Sequence, residues 1–269
     1  PQGQIGMSEL ATTNVIWLGL SGSFMASLGT MVGAIGVFAV RSLSQKLEDS
    51  LLSIAAGIML AASLFSLLLP GIAYGELQFG TPSNAVLVVI AGLLLGAVSL
   101  HLIHRLVPHE HFFLGREGPE NKELSRIWLF VIAITLHNFP EGMAVGVGFA
   151  GGDIDNGVSL ATGIGVQNIP EGLAVAVSLL SVGYSRFHAF AVGGLSGLVE
   201  PIGGLFGSIA VSIAAPLMPL AMGFAAGAML FIISDEIIPE THRSGFENIA
   251  TFSLLGGFAI MMYLDAVLG

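Results

Sequence analysis

The sequence predicts an all-α membrane protein of eight transmembrane helices, and three observations carry that prediction. Composition is the first: the chain is 54% hydrophobic and 10% charged, with a mean hydropathy of +0.88, where a soluble domain carries roughly a quarter charged residues. Window length is the second. Predominantly apolar runs of about 18 or more residues recur from end to end, long enough to cross roughly 30 Å of hydrocarbon. The third is the placement of the basic residues. With eight spans, Arg41 and Lys46 fall between spans 1 and 2, while Arg105, Arg116, Lys122 and Arg126 fall between spans 3 and 4. Arg186 falls between spans 5 and 6, and Arg243 between spans 7 and 8. All of them then share one side, the cytoplasmic side by the positive-inside rule, which leaves both termini outside.

The elements follow in order. Span 1, about 14–40, holds "GLSGSFMASLGTMVGAIG" (19–36), whose small residues let helix backbones approach closely. Span 2, 51–74, carries "AAGIMLAAS" (55–63). The thioether of Met59 there is a candidate soft metal donor, although packing is the commoner use of a lone Met. Span 3, 84–104, ends on His101 and His104, and a cytoplasmic loop follows over 105–126 with His109 and His111. Those loop histidines either collect metal or are solvated. Span 4, 127–149, and span 5, 157–182, each interrupt their apolar run with a polar island built around a proline. Span 6, 187–213, returns to glycine-rich packing and carries Glu200. Span 7, 217–240, ends with Asp235, Glu236 and Glu240, and His242 lies just beyond it. Span 8, 247–268, carries Asp265. The whole chain, 1–269, reads as one polytopic domain. Cysteine is absent, which excludes disulfides and thiolate metal sites.

The two polar islands are the chemistry. "TLHNFPEGMAV" (135–145) places His137 one helical turn before Glu141, and Asn138 three residues before it, all on adjoining lines of one helix face. "GVQNIPEGLAV" (165–175) repeats the arrangement with Gln167, Asn168 and Glu171. The connection between the two spans is short, so they are antiparallel neighbours with their islands at similar depth. Glu200 adds a third deep carboxylate. An ionised carboxylate in hydrocarbon costs several kcal/mol unless paired, and no Lys or Arg lies deep in any span. A bound cation or protons must neutralise these groups. Pro140 and Pro170 cannot donate to the carbonyls of Leu136 and Val166, so a kink at each would offer main-chain oxygens beside the ligands. Imidazole, carboxylates and side-chain amides without thiolate suit Zn2+ best, with Fe2+, Mn2+, Co2+ and Cd2+ as related cargo. The two glutamates could bridge two metals, one leaning on His137 and Gln167, the other on Asn138, Asn168 and Glu200.

"HNFPEG" (137–142) and "QNIPEG" (167–172), with the Glu–Pro of span 6 and "AAGAMLFIISDEIIPETH" (225–242) in span 7, resemble the ZIP family of metal transporters, especially its bacterial branch. The resemblance covers essentially the whole chain. It implies import of Zn2+ and related divalent metals into the cytoplasm across the bacterial inner membrane, through a site between spans 4 and 5. It also implies a 3+2+3 bundle in which spans 1–3 and 6–8 form an inverted repeat around the ligand helices. Many members carry His where this chain has Gln167, a weaker ligand, which puts selectivity and affinity in doubt.

The derived orientation suggests a path. Asp153, Asp155 and Asp265 lie on an outer face without basic residues, an entrance that attracts cations. His101, His104, Asp235, Glu236, Glu240 and His242 gather at the inner end as an exit relay, with Glu236 foremost. Transport is expected by alternating access, one bundle moving against another. The expected partners are divalent metal ions and the lipid bilayer, with a homodimer as the candidate assembly and no nucleic acid. Two rivals come from other classes. An intramembrane metallohydrolase would need a second His one turn from the first, which is missing. A Mg2+ channel would want oxygen-only ligands, which His137 opposes.

Overall fold

The computed structural model describes residues 2–107, 109–111, 115–117, 126–149, 152–181, 183–213 and 215–268. It is a bundle of long helices. Span 1 is the helix Gln2–Ile35, extended by a 3-10 turn over Gly36–Phe38. Span 2 runs over Gln45–Ala62, a π segment Ser63–Leu68 and the helix Leu69–Phe79. Span 3 is Pro82–Leu106, span 4 Arg126–Gly148 and span 5 Ile154–Ser181. Span 6 is two helices, Arg186–Ser196 and Val199–Ile213. Span 7 runs over Met218–Ile232, a π segment Ile233–Ile237 and Ile238–Thr241, and span 8 is Glu247–Leu268. Among the described residues seven of these rods are long and apolar enough to cross a membrane, and span 4 adds a helix of 23 residues. The loop between spans 3 and 4 forms a small hairpin, β1 (His109–His111) against β2 (Gly115–Glu117), with His109 opposite Glu117. The side chains of His109 and His111 lie outside the described residues.

Capping and proline chemistry set the helix limits. Ser44 and Thr81 accept from the backbone N–H three residues on, opening spans 2 and 3, and Pro82 fits the first turn of span 3. Proline also accounts for the irregular segments. Pro70 and Pro239 follow the two π segments, and each lacks the N–H that would bond to the carbonyl of Ser66 or Asp235. Span 6 breaks at Gly197–Leu198 for the same reason. Pro201 cannot donate to Gly197, whose carbonyl instead accepts from the Glu200 N–H at 3.0 Å. The sequence offered this span as one rod. By contrast, spans 4 and 5 run unbroken past Pro140 and Pro170.

Glycine sets which helices touch. A methyl on Gly29 or Gly33 of span 1 would meet the carbonyls of Gly165 and Ile169 in span 5. Gly142 and Gly146 of span 4 lie equally close to the backbone of Glu200 and Gly204 in span 6. Gly92 and Gly96 of span 3 meet Leu220 and Phe224 of span 7, and Gly57 of span 2 meets Leu254 of span 8. Along the first three seams the contacts advance together, so spans 1 and 5, 4 and 6, and 3 and 7 run parallel, as alternating spans require. These seams pair span 1 with 5, span 4 with 6, span 3 with 7 and span 2 with 8. Exchanging spans 1, 2, 3 and 4 with 6, 7, 8 and 5 converts the 1–5 seam into 6–4 and the 3–7 seam into 8–2. The π segments of spans 2 and 7 exchange as well, the pattern of an inverted repeat.

Spans 2, 5 and 7 are the most buried of the scored spans, and span 8, followed by span 3, the least. The main apolar cluster includes Ile58, Met59, Leu160, Ile164, Met222, Met229, Ile232 and Met261. Large apolar side chains such as Leu87, Leu94, Leu95, Phe252 and Tyr263 face outward, as a helix bundle in lipid requires.

Candidate metal centre

The Pro–Glu–Gly triplets place the ligand helices against their neighbours. Gly142 leaves room for the backbone of Glu200 from span 6, and Gly172 leaves room for the backbone of Thr30 from span 1. Each motif glutamate therefore precedes a point of backbone-to-backbone contact, and four spans meet at one level.

Asn138, Glu141, Gln167, Asn168 and Glu200 are all buried, at 0–1% exposure. Their hydrogen bonds form a chain. Gln167 Nε2 donates to Asn168 Oδ1 at 2.7 Å, and Asn168 Nδ2 donates to Glu200 Oε1 at 2.9 Å and to the Ala26 carbonyl at 3.1 Å. Thr30 Oγ1 donates to the same Glu200 oxygen at 3.4 Å. Four buried oxygens are left without a partner: Asn138 Oδ1, Glu141 Oε2, Gln167 Oε1 and Glu200 Oε2. Glu171 is the common neighbour of both halves. It lies within electrostatic reach of His137, Glu236, Glu141 and Glu200. Among the described residues no three His, Cys, Asp or Glu side chains are grouped to hold a metal by themselves. Asn138 and Gln167 add two amide oxygens to the carboxylates at this level.

His137 turns toward spans 3 and 7. Its Nε2 lies 2.6 Å from Glu236 Oε2, and His104 Nε2 lies 3.2 Å from Glu236 Oε1. Glu236 is buried at 2% exposure on the π segment of span 7, so one carboxylate joins an imidazole of span 4 to one of span 3. His104 and His101 both stack edge-on to Phe231. Of the remaining residues of the expected relay, Glu240 lies within electrostatic reach of His137. Asp235 is exposed and Glu240 half-buried, while His242 is tied to Thr241, to the Ile238 carbonyl and to Thr251. Met59 is buried within the main apolar cluster.

At the opposite end, Asp265 Oδ1 accepts from Ser66 at 2.7 Å, joining span 8 to the π segment of span 2. Asp153 caps span 5 through the Asn156 N–H and accepts from Tyr74 at 3.0 Å. Asp155 is exposed. Asn156 also donates to the Ser66 carbonyl freed by Pro70. Thr30, Ser66, Tyr74 and Asn156 were not singled out from the sequence. Hydroxyls are ordinary in packed membrane helices, and only the broken carbonyl at Pro70 hinted that a donor was needed there.

Residues 115–265 match the family model described as ZIP Zinc transporter. The chain is 44% identical over 251 residues to Zinc transporter GufA of Myxococcus xanthus, covering 93% of this chain and 99% of that one. It is 47% identical over 240 residues to Zinc transporter ZIPB of Bordetella bronchiseptica, covering 89% and 78%. With Zinc transporter ZIP11 of Homo sapiens the identity is 33% over 335 residues, covering 94% and 98%.

Proposed function

The chain belongs to the ZIP zinc transporter family, and from that premise we propose that it carries Zn2+ through the polar cluster between spans 4, 5 and 6. It is a transporter by family, which removes the metallohydrolase rival. The observation that carries the site is the set of four unpartnered buried oxygens on Asn138, Glu141, Gln167 and Glu200. A buried acceptor without a partner is costly, and a divalent cation beside Glu171 would satisfy all four while neutralising the carboxylates. His137 supplies the nitrogen that favours Zn2+ over hard cations, and Cd2+, Fe2+, Mn2+ and Co2+ are the related cargo. Glu141 and Glu171 bridge two metals when both positions fill, and Met59 is the weakest of the ligand candidates.

Entry is from the face carrying Asp153, Asp155 and Asp265. Exit is past His137, Glu236 and His104 toward the basic, cytoplasmic side of the bacterial inner membrane, with both termini outside. Alternating access is the expected mode of transport, and a contrast between contacts supports it. The four paired seams are backbone against backbone, whereas span 5 meets span 8 through the Met261 thioether against Gly163. A flexible side chain yields at such a surface more readily than a main-chain contact does.

Uptake of radioactive zinc into proteoliposomes tests the proposal, comparing wild type with Glu141→Ala, Glu171→Ala and Glu200→Ala. Saturable uptake by wild type and a loss of about tenfold or more in the first two variants is expected, since each removes a charged ligand from a buried site. Undiminished uptake in both would remove the central site from the pathway.

A further inference from the structure

Span 1 contributes no ligand to the proposed centre, yet it closes on it more tightly than packing alone requires. Thr30 sits at the junction of spans 1, 5 and 6. Its backbone fills the space left by Gly172, and a methyl on Gly197 would lie 2.9 Å from both its Cβ and its Oγ1. Gly197 is the residue at which span 6 breaks, three positions before Glu200. The notch at the break thus receives the Thr30 side chain, and its hydroxyl reaches Glu200 Oε1. The second donor to that oxygen is Asn168 Nδ2. The amide orientation of Asn168 is fixed by chemistry: Nδ2 faces two acceptors, the Ala26 carbonyl and Glu200, while Oδ1 faces the Gln167 amide.

We propose that Thr30 is a positioning residue of the transport site, acting with Asn168 as a two-donor clamp on Glu200 Oε1 so that Oε2 is the oxygen presented to the metal. The clamp divides the carboxylate into a fixed half and a ligating half. It makes Glu200 a monodentate ligand whose direction is set by spans 1 and 5, and it gives Asn168, expected from the sequence as a ligand, work within the protein. The same chain of bonds turns Gln167 so that its Oε1 is the atom left bare. Thr30 acts through Glu200 and need not touch the metal.

The inference rests on reading Glu200 as part of the metal site, and the test separates the two. Zinc affinity is measured by titration calorimetry on the detergent-solubilised full chain for wild type, Thr30→Val, Thr30→Ser, Glu200→Ala and the Thr30→Val/Glu200→Ala double variant, with thermal unfolding as the control for packing. Valine keeps the shape and removes the donor. The expected result is a weakening of about 3- to 10-fold for Thr30→Val, the scale of one ordinary hydrogen bond, in keeping with its 3.4 Å length. Most of the affinity returns in Thr30→Ser, and Thr30→Val adds nothing once Glu200 is alanine. Equal losses in both backgrounds, or no loss in either, overturn the clamp while leaving Glu200 as a ligand. Unchanged affinity in Glu200→Ala overturns the reading of Glu200 itself and the clamp with it.

Discussion

Glu236 is the residue on which the two halves of the proposed path depend. Its oxygens lie 2.6 Å from His137 and 3.2 Å from His104, so an imidazole assigned to the metal is held, in this arrangement, by the exit. His137 cannot face both at once through the same nitrogen. Replacing Glu236 by alanine removes the competitor and leaves His137 to the metal. Zinc binding should be kept or tightened while the maximal uptake rate falls, by about tenfold if the carboxylate receives the departing ion. Weakened binding with an unaltered rate would instead make Glu236 a support for the site. The sequence marked His137 by its spacing to Glu141, and His104 and Glu236 because spans 3 and 7 both run toward the same end. It gave no means of knowing that His137 joins the other two, since 99 residues separate it from Glu236. Thr30 illustrates the opposite limit: a hydroxyl in a run of small residues carries no signal of its own, and only the notch at Gly197 gives it a role.

Helices meet here wherever glycine lets backbones touch, and that makes single methyl groups decisive. A Cβ on Gly146 or Gly207 would enter the seam between spans 4 and 6, whereas one on Gly256 of span 8 meets nothing within 4 Å. Gly146→Ala should destabilise the detergent-solubilised protein by about 1–3 kcal/mol, as overpacking does, and Gly256→Ala by less than about 0.5 kcal/mol. Thermal unfolding of the two variants compares them directly. Equal midpoints would mean that the seam yields, and that backbone contact does not hold spans 4 and 6 together. The glycine-rich stretches of spans 1 and 6 were legible as packing surfaces, but their partners were not, because a small residue states that something comes close without stating what. The irregular segments have a similar history. Pro140 and Pro170 drew attention to spans 4 and 5, which continue unbroken. Pro70, Pro201 and Pro239 are the prolines beside which a helix changes its winding or stops.

At the scale of the molecule, the helix directions and the basic residues constrain each other. Parallel seams between spans 1 and 5, 4 and 6, and 3 and 7 require an alternating chain, and alternation puts every Lys and Arg at one end of the bundle. The geometry alone does not say which end faces the cytoplasm; that comes from the energetics of moving Lys and Arg across a membrane during insertion. The absence of cysteine turns this into a direct measurement, because any thiol introduced is the only one present. Ser42, in the connection between spans 1 and 2, and Ser83, at the start of span 3, are both exposed and lie at opposite ends of span 2. In intact spheroplasts a membrane-impermeant maleimide should label Ser83→Cys, and should label Ser42→Cys only after permeabilisation. The reverse pattern would invert the protein, making the face of Asp153 and Asp265 the inner one and the Glu236 path an entrance. With the direction fixed, the acidic end, the four bare oxygens and the imidazole pair on Glu236 fall in the order in which an imported ion would meet them.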